Sequence, residues 1–334
     1  MHRIERWGAL DFVKAFGVLL MIVLHVVVWW YIPLDYGAKT ISDKFFVFLP
    51  FLKFIGLFVI IIPITAGASL RFYLTKNKLI KVKNQKLKKI FNKSILLIIF
   101  GYLLNLLAWG KEEFLNWDVL QFVGVSMVLV ALMAKFLPMS FFWVVGAFVL
   151  LSASFLRQIL DNWKLNYFVA VFVSNNEGNF FWPFFPWFVF IIYGFLIADF
   201  YIKTRNRKKI YLKMAILSIS ILVVILYKRL LFFKEDITNI WGPGIFQAPA
   251  LTLLGNISIF NLMLVMSALF LKDIKWNKYG ILNSFSKGIL WIYILHIVIG
   301  YHLVNIIKIN FSASTFAMAI IAIILIFISY IIGV

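Results

Sequence analysis

The feature that most constrains the fold is a series of long apolar segments repeated along the whole chain. Ten segments of roughly the length that a bilayer core demands are predicted at residues 12–32, 45–70, 94–109, 119–137, 140–159, 181–202, 210–228, 249–271, 281–304 and 315–334. The composition agrees, since 63% of the 334 residues are hydrophobic and the mean hydropathy is +0.98. The chain is therefore predicted to be an all-α polytopic membrane protein with about ten transmembrane helices in one domain, 1–334.

The charged residues predict the orientation of these helices. Residues 71–93 carry nine basic side chains and no acid, and residues 203–213 carry six basic side chains and no acid. If ten segments alternate, both loops fall on one side, and positive-inside bias places that side and both termini in the cytoplasm. The net charge of +20 then reports orientation, so no nucleic-acid partner is expected. The absence of cysteine excludes disulfides and thiolate metal sites.

Two costly side chains share the first segment. Lys14 and His25 are separated by the uncharged run AFGVLLMIVL. Their spacing of eleven residues corresponds to about 1100° of helix, so both lie on one face, roughly 16 Å apart along the axis. Intramembrane ionisable residues indicate a functional site by default. The predicted topology places Lys14 near the cytoplasmic surface and His25 in the outer half of the membrane, where His296 of the ninth segment also falls.

These residues permit more than one interpretation. His25 is a candidate general base for a hydroxyl or amine, or a transient acyl acceptor, and the alternative is a structural histidine bonded to a neighbouring helix. His296 either assists it or packs at an interface. Asp11 lies three residues before Lys14 and is expected to pair with it. With Arg6 these residues form either a phosphate site or an ordinary cytoplasmic anchor. No metal site is expected from these histidines.

Other polar and aromatic residues receive structural interpretations. Lys53 in the second segment is a candidate for the cavity of His25. The remaining intramembrane amides are expected to form hydrogen bonds between helices: Asn105, Gln121, Asn256, Asn261 and Asn283. Trp29, Trp30 and Tyr31 are expected to form an interfacial belt. The aromatic run at 179–188 is either a glycan platform or a surface packed against lipid.

Several motifs resemble known membrane acyltransferases. Arg6-x-x-x-Leu10-Asp11-x-x-Lys14, followed by ten residues and His25, resembles the first helix of the membrane-bound acyltransferase family 3 proteins. That family shows an arginine, ten residues and an essential histidine. Bacterial relatives of heparan-α-glucosaminide N-acetyltransferase, in the same superfamily, are similar in four stretches: ITAGASLRFYL at 64–74, FGYLLNLLAW at 100–109, WDVLQFVGVS at 117–126 and FPWFVFIIYGFLIAD at 185–199. ILWIYILH at 289–296 is like the tyrosine-x-x-histidine ending of both groups.

The resemblance implies a function. Such proteins transfer an acyl group, usually acetyl, from cytoplasmic acyl-CoA to a glycan hydroxyl or amine beyond the membrane. By this match Lys14 takes the arginine's role at the acetyl-CoA donor, with Arg6 and Asp11 beside it, and His25 and His296 are catalytic. Lysine lacks the planar fork of arginine, and the heparan group often lacks a histidine at the position of His25.

The expected location is the inner membrane of a bacterium, with a glycan or glycolipid acceptor and membrane lipids as partners. Acceptor identity, O- or N-transfer and oligomeric state remain open. The alternative function is a transporter or flippase, which would use the same polar residues to line a path.

Overall fold

The computed structural model describes residues 7–31, 59–76, 79–80, 82–161, 171–173, 182–204, 206–228, 249–271, 280–310 and 315–333. The helices are α1 (Gly8–Tyr31), α2 (Ile61–Leu74), α3 (Asn84–Trp109), α4 (Val119–Phe136), α5 (Met139–Asp161), α6 (Phe184–Lys203), α7 (Arg207–Tyr227), α8 (Ala250–Phe270), α9 (Gly280–Lys287), α10 (Ile289–Asn310) and α11 (Thr315–Gly333). A two-residue antiparallel pair, β1 (Thr75–Lys76) and β2 (Leu79–Ile80), follows α2. Within the described residues, the fold is thus all-α apart from this short strand pair.

Helix length and apolarity show a multi-pass membrane protein. In the part of the chain that the structure describes, eight helices are long and apolar enough to cross a bilayer. They are α1, α3, α4, α5, α6, α7, α8 and α10. Two shorter apolar helices lie at Ile61–Leu74 and Ala317–Ile331. These helices correspond to the predicted segments, while the count of ten transmembrane spans and the cytoplasmic termini stay predictions.

Two predicted boundaries differ from the structure. Helix α3 begins at Asn84, ten residues before the predicted segment at 94–109, because lysine favours helix although it lowers hydropathy. The predicted segment at 281–304 consists of α9 and α10, which are interrupted at Gly288. The predicted segment at 45–70 lies only partly within the described residues, and Lys53 lies outside them.

The chain forms two compact units. The first contains the described residues of Ile62–Leu262, and the second contains those of Arg6–Ile61 and Met263–Val334. In the second unit, α1 packs against α9, α10 and α11, and α10 and α11 pack against each other. In the first unit, α3 packs on α4, and α6 packs on both α4 and α5.

Helices α2 and α6 of the first unit cross with their backbones in close contact. A methyl carbon added at Gly67 would lie 2.0 Å from the carbonyl oxygen of Ile191, and one at Gly194 would lie 1.8 Å from that of Ile64. Small residues at such crossings let membrane helices approach closely enough for extensive packing. Glycine at both positions therefore fixes how α2 lies on α6.

A polar ladder links three helices of the same unit. The Tyr193 hydroxyl on α6 donates to Asn261 Oδ1 on α8 at 2.5 Å, and Asn261 Nδ2 donates to Ser218 Oγ on α7 at 3.1 Å. Hydrogen bonds between helices are favourable where hydrocarbon offers no alternative partner. The prediction that Asn261 bonds a neighbouring helix is confirmed.

Aromatic residues near the start of α6 pack inside the protein. Trp182, Phe184 and Trp187 are all buried, and the Trp182 ring lies 4.7 Å from that of Trp187 and 6.2 Å from that of Phe122. The Trp117 indole donates to the Trp182 carbonyl at 3.0 Å. The predicted packing against lipid is wrong for these side chains, because they are buried against each other, and the glycan platform stays a prediction.

Gly194→Ala is expected to lower the melting temperature of the purified protein by several degrees, because the new methyl group meets a backbone oxygen that cannot rotate away. Overpacking of this kind costs about 1–3 kcal/mol. Gly146→Ala on α5 is the matched control, since its methyl carbon would lie 3.4 Å from Ile192 Cγ2, an ordinary contact. Thermal unfolding in detergent measures both, and equal stability of the two variants would contradict the close crossing.

Candidate active site

Two histidines meet in the second unit. His25 Nδ1 on α1 lies 2.9 Å from His296 Nε2 on α10, and the ring centroids are 5.1 Å apart with planes inclined by 14°. His296 is buried, with 2% of its surface exposed, and His25 is partly exposed. The sequence placed both histidines in one half of the membrane, and the structure brings them within hydrogen-bond distance.

The backbone sets the tautomers of this pair. His296 Nδ1 lies 2.8 Å from the carbonyl oxygen of Ile292. A carbonyl only accepts, so His296 carries its proton on Nδ1 and presents Nε2 as an acceptor. His25 Nδ1 must then donate to His296 Nε2, which leaves the lone pair of a neutral His25 on Nε2. The two hydrogen bonds that run from the Ile292 carbonyl through His296 therefore leave a nitrogen lone pair on His25, the more exposed of the two histidines.

Trp29 packs against both rings of the histidine pair, with its ring centroid 6.4 Å from that of His296. The His25 and Trp29 rings stack with centroids 5.3 Å apart and planes 15° apart, and Trp29 meets Tyr301 edge-on at 5.9 Å. Gly300 makes room for the indole, since a methyl carbon there would lie 2.8 Å from Trp29 Cζ3. The next residue, Trp30, is 1% exposed. The predicted interfacial belt is thus wrong for Trp30, which is buried, and stays a prediction for Trp29, which is partly exposed.

The other predicted site residues on α1 lie toward its N-terminal end. The Ser286 hydroxyl on α9 donates to the Asp11 carboxylate at 2.7 Å, and both residues are buried. This bond ties the start of α1 to α9. Lys14 is partly exposed, and its pairing with Asp11 stays a prediction. Arg6 lies outside the described residues.

A buried ion pair in the first unit was not found from the sequence. Arg71 on α2 donates to Asp199 Oδ1 on α6 through Nε at 3.0 Å and Nη2 at 2.5 Å, and Lys203 Nζ lies 2.8 Å from Asp199 Oδ2. Arg71 also donates to the Thr75 hydroxyl. Arg71 is fully buried and Asp199 is 6% exposed. Since unlike charges at the ends of two apolar segments were visible in the sequence, that signal could have suggested the pair.

Metal chemistry has no candidate among the residues that the structure describes. These residues include no group of three or more histidine, cysteine, aspartate or glutamate side chains that could hold an ion. The histidine pair supplies two nitrogens that already bond each other. The arrangement is therefore suited to moving a proton.

Comparison with known proteins identifies one family. The sequence model described as "Heparan-alpha-glucosaminide N-acetyltransferase, catalytic" matches residues 6–233, which is more than half of the chain. No curated protein matches the chain. The matched region contains His25 and both partners of the Arg71–Asp199 pair, whereas His296 lies beyond its end.

In protein labelled with ¹⁵N-histidine, both His25 and His296 are expected to show a protonated Nδ1 and an unprotonated Nε2, because the Ile292 carbonyl fixes the order of donors. Nitrogen chemical shifts measure this, and single substitutions assign the four histidines of the chain. In His296→Leu the Nδ1–H signature of His25 is expected to disappear. A protonated Nε2 on His25 in the unmodified protein would contradict the assignment.

Proposed function

Because the chain belongs to the heparan-alpha-glucosaminide N-acetyltransferase catalytic family, a family of transmembrane acetyltransferases that act on glycan-like acceptors, we propose that it transfers an acetyl group from cytoplasmic acetyl-CoA to a hydroxyl or amine of an extracytoplasmic glycan. The observation that carries this proposal is the bond between His25 and His296 at 2.9 Å. It supplies an oriented base inside a membrane helix bundle, which acyl transfer to a hydroxyl or amine requires.

In the proposed reaction, the acceptor's hydroxyl oxygen or amine nitrogen attacks the thioester carbonyl carbon. At the same time His25 Nε2 takes the proton from that oxygen or nitrogen. The tetrahedral intermediate then collapses and the carbon–sulfur bond breaks. The protonated His25 returns its proton to the departing thiolate, which leaves as the free thiol of CoA. The acetyl group and the proton therefore exchange places between sulfur and acceptor, and His25 ends as it began.

His296 acts in this scheme as a positioning residue. It accepts from His25 Nδ1 and donates to the Ile292 carbonyl, so the lone pair of His25 stays on Nε2. When His25 gains a proton, its Nδ1–H continues to face the His296 acceptor, so the ring keeps its orientation. Such orientation by a second group matches the logic of the catalytic triad, where a wrong tautomer costs several orders of magnitude.

The remaining assignments extend the proposal. We place the acyl donor at the cytoplasmic end of α1, where Lys14 serves as a point charge with Arg6 and Asp11 nearby. The chain is proposed to be a single domain, 1–334, with ten spans and both termini in the cytoplasm. Its proposed location is the inner membrane of a bacterium. The charge pattern of the loops supports the orientation, and the family supports the acetyl donor.

His25→Ala is expected to lower acetyl transfer by about 10²–10⁴-fold, since the variant lacks the base. Transfer of labelled acetyl from acetyl-CoA to glycan acceptors measures this in reconstituted vesicles. His302→Ala is the matched control, because His302 is an exposed histidine of the same helix as His296 and is expected to be dispensable. Unchanged transfer by folded His25→Ala would refute the mechanism, and label trapped on His25 without acceptor would favour an acyl-histidine intermediate.

His296→Gln is expected to retain much more activity than His296→Leu, because the glutamine amide can accept from His25 and donate to Ile292, whereas leucine can do neither. We expect the leucine variant to lose at least tenfold more in kcat, with a smaller change in KM for acetyl-CoA. Steady-state rates across pH compare the two. Equal losses with identical pH profiles would indicate that His296 only fills space.

A further inference from the structure

A positive charge forms on His25 in the proposed reaction, within a helix where charge is costly. The described contacts of the His25 ring are with His296 and Trp29. The carboxylate of the same helix belongs to Asp11, which precedes His25 by 14 residues, or roughly 21 Å along the axis. Since His296 stays neutral in the proposed scheme, the charge on His25 forms against the aromatic face of Trp29.

The Trp29 indole has the geometry of a cation–π contact with His25. The two centroids are 5.3 Å apart and the planes are inclined by 15°. A cation is attracted to the face of an aromatic ring within about 6 Å of its centroid, and the indole of tryptophan attracts it most strongly. The His296 ring lies farther away, at 6.4 Å. The indole is therefore closer to the histidine that gains the proton than to the one that orients it.

Helix α10 holds the indole in this position. A methyl carbon at Gly300 would lie 2.8 Å from Trp29 Cζ3 and 3.5 Å from Cη2, so this edge of the indole fits because residue 300 has no side chain. The Tyr301 ring meets the indole edge-on, with planes inclined by 82°. A ring that is held before the charge forms stabilises that charge without the cost of reorganisation.

We propose that Trp29 is a positioning residue whose indole face stabilises the imidazolium form of His25. It acts within the proposed function, on which this inference rests, because acetyl transfer supplies the proton. In the catalytic triad a carboxylate stabilises the imidazolium. Here the neutral indole has that role, and it brings no second charge that must be desolvated. The contact lies entirely within the second unit.

The test changes the electron density of the indole while its shape stays nearly constant. Fluorine withdraws electrons from the ring face, which weakens its attraction for a cation. Because carbons 5 and 6 of the indole (Cζ3 and Cη2) face Gly300, fluorine is placed on carbons 4 and 7. We therefore install 4-fluoro-, 7-fluoro- and 4,7-difluorotryptophan at residue 29 alone. The kcat of acetyl transfer is expected to fall about threefold per fluorine, with KM for acetyl-CoA unchanged.

Two controls separate electron density from size and from fluorination in general. 7-Methyltryptophan at residue 29 is larger than the 7-fluoro analogue but does not withdraw electrons, so kcat is expected to stay close to that of the unmodified protein. The fluorinated analogues at Trp291, which is 51% exposed on α10, are expected to leave kcat unchanged. Equal losses with methyl and fluorine, or equal losses at residues 29 and 291, would overturn the assignment.

Ordinary substitutions give a second measure of the same contact. Trp29→Leu is expected to lower kcat about thirtyfold, and Trp29→Phe is expected to lose less, because it keeps an aromatic face. Equal losses in the two variants would contradict the proposal. Fluorine without effect, in a protein whose acetyl transfer requires His25, would refute this inference alone. Absence of acetyl transfer by the unmodified protein would refute the proposed function as well.

Discussion

The cost of leaving a polar group without a partner in hydrocarbon accounts for several of the contacts between helices. It explains why Asn261 bonds two helices, why the Asp11 carboxylate accepts from Ser286 and why Arg71 is enclosed by Asp199 and Thr75. His25 fits the same rule only in part. One ring nitrogen is committed to His296, and the other keeps the lone pair that the proposed chemistry uses. The His25 side chain thus has one nitrogen in a hydrogen bond and one nitrogen that can accept a proton.

The helices could be predicted from the sequence because hydrophobic transfer is a property of segments about 20 residues long. Their ends could not, as α3 and the interruption at Gly288 show. Helix α3 includes a lysine-rich stretch at its start. Its low hydropathy excludes this stretch from a predicted apolar segment, although lysine is a good helix former. The glycine between α9 and α10 carries no unique signal, since Gly194 lies inside an unbroken helix. Tertiary packing decides which glycine breaks a helix and which lets a neighbour approach.

The candidate site was predictable in its residues and not in its contacts. His25 and His296 were expected on one side of the membrane because topology alone gives depth. Their direct bond and their tautomers depend on how α1 and α10 rotate about their axes. Trp30 was misplaced for the same reason, because an aromatic residue near a helix end suits a lipid interface and a protein interior equally well. Arg71 and Asp199 are 128 residues apart, and only their positions near the ends of two apolar segments point to the pair.

That separation has a consequence for how the protein is made. The chain emerges from its N-terminus, so α2 reaches the membrane long before Asp199 has been synthesised. Until α6 arrives, the guanidinium of Arg71 cannot have its final counter-charge and must stay hydrated or in contact with the insertion machinery. The final packing of α2 therefore depends on α6, which is synthesised later. A chain that stops before residue 199 lacks the carboxylate that Arg71 contacts in the folded protein.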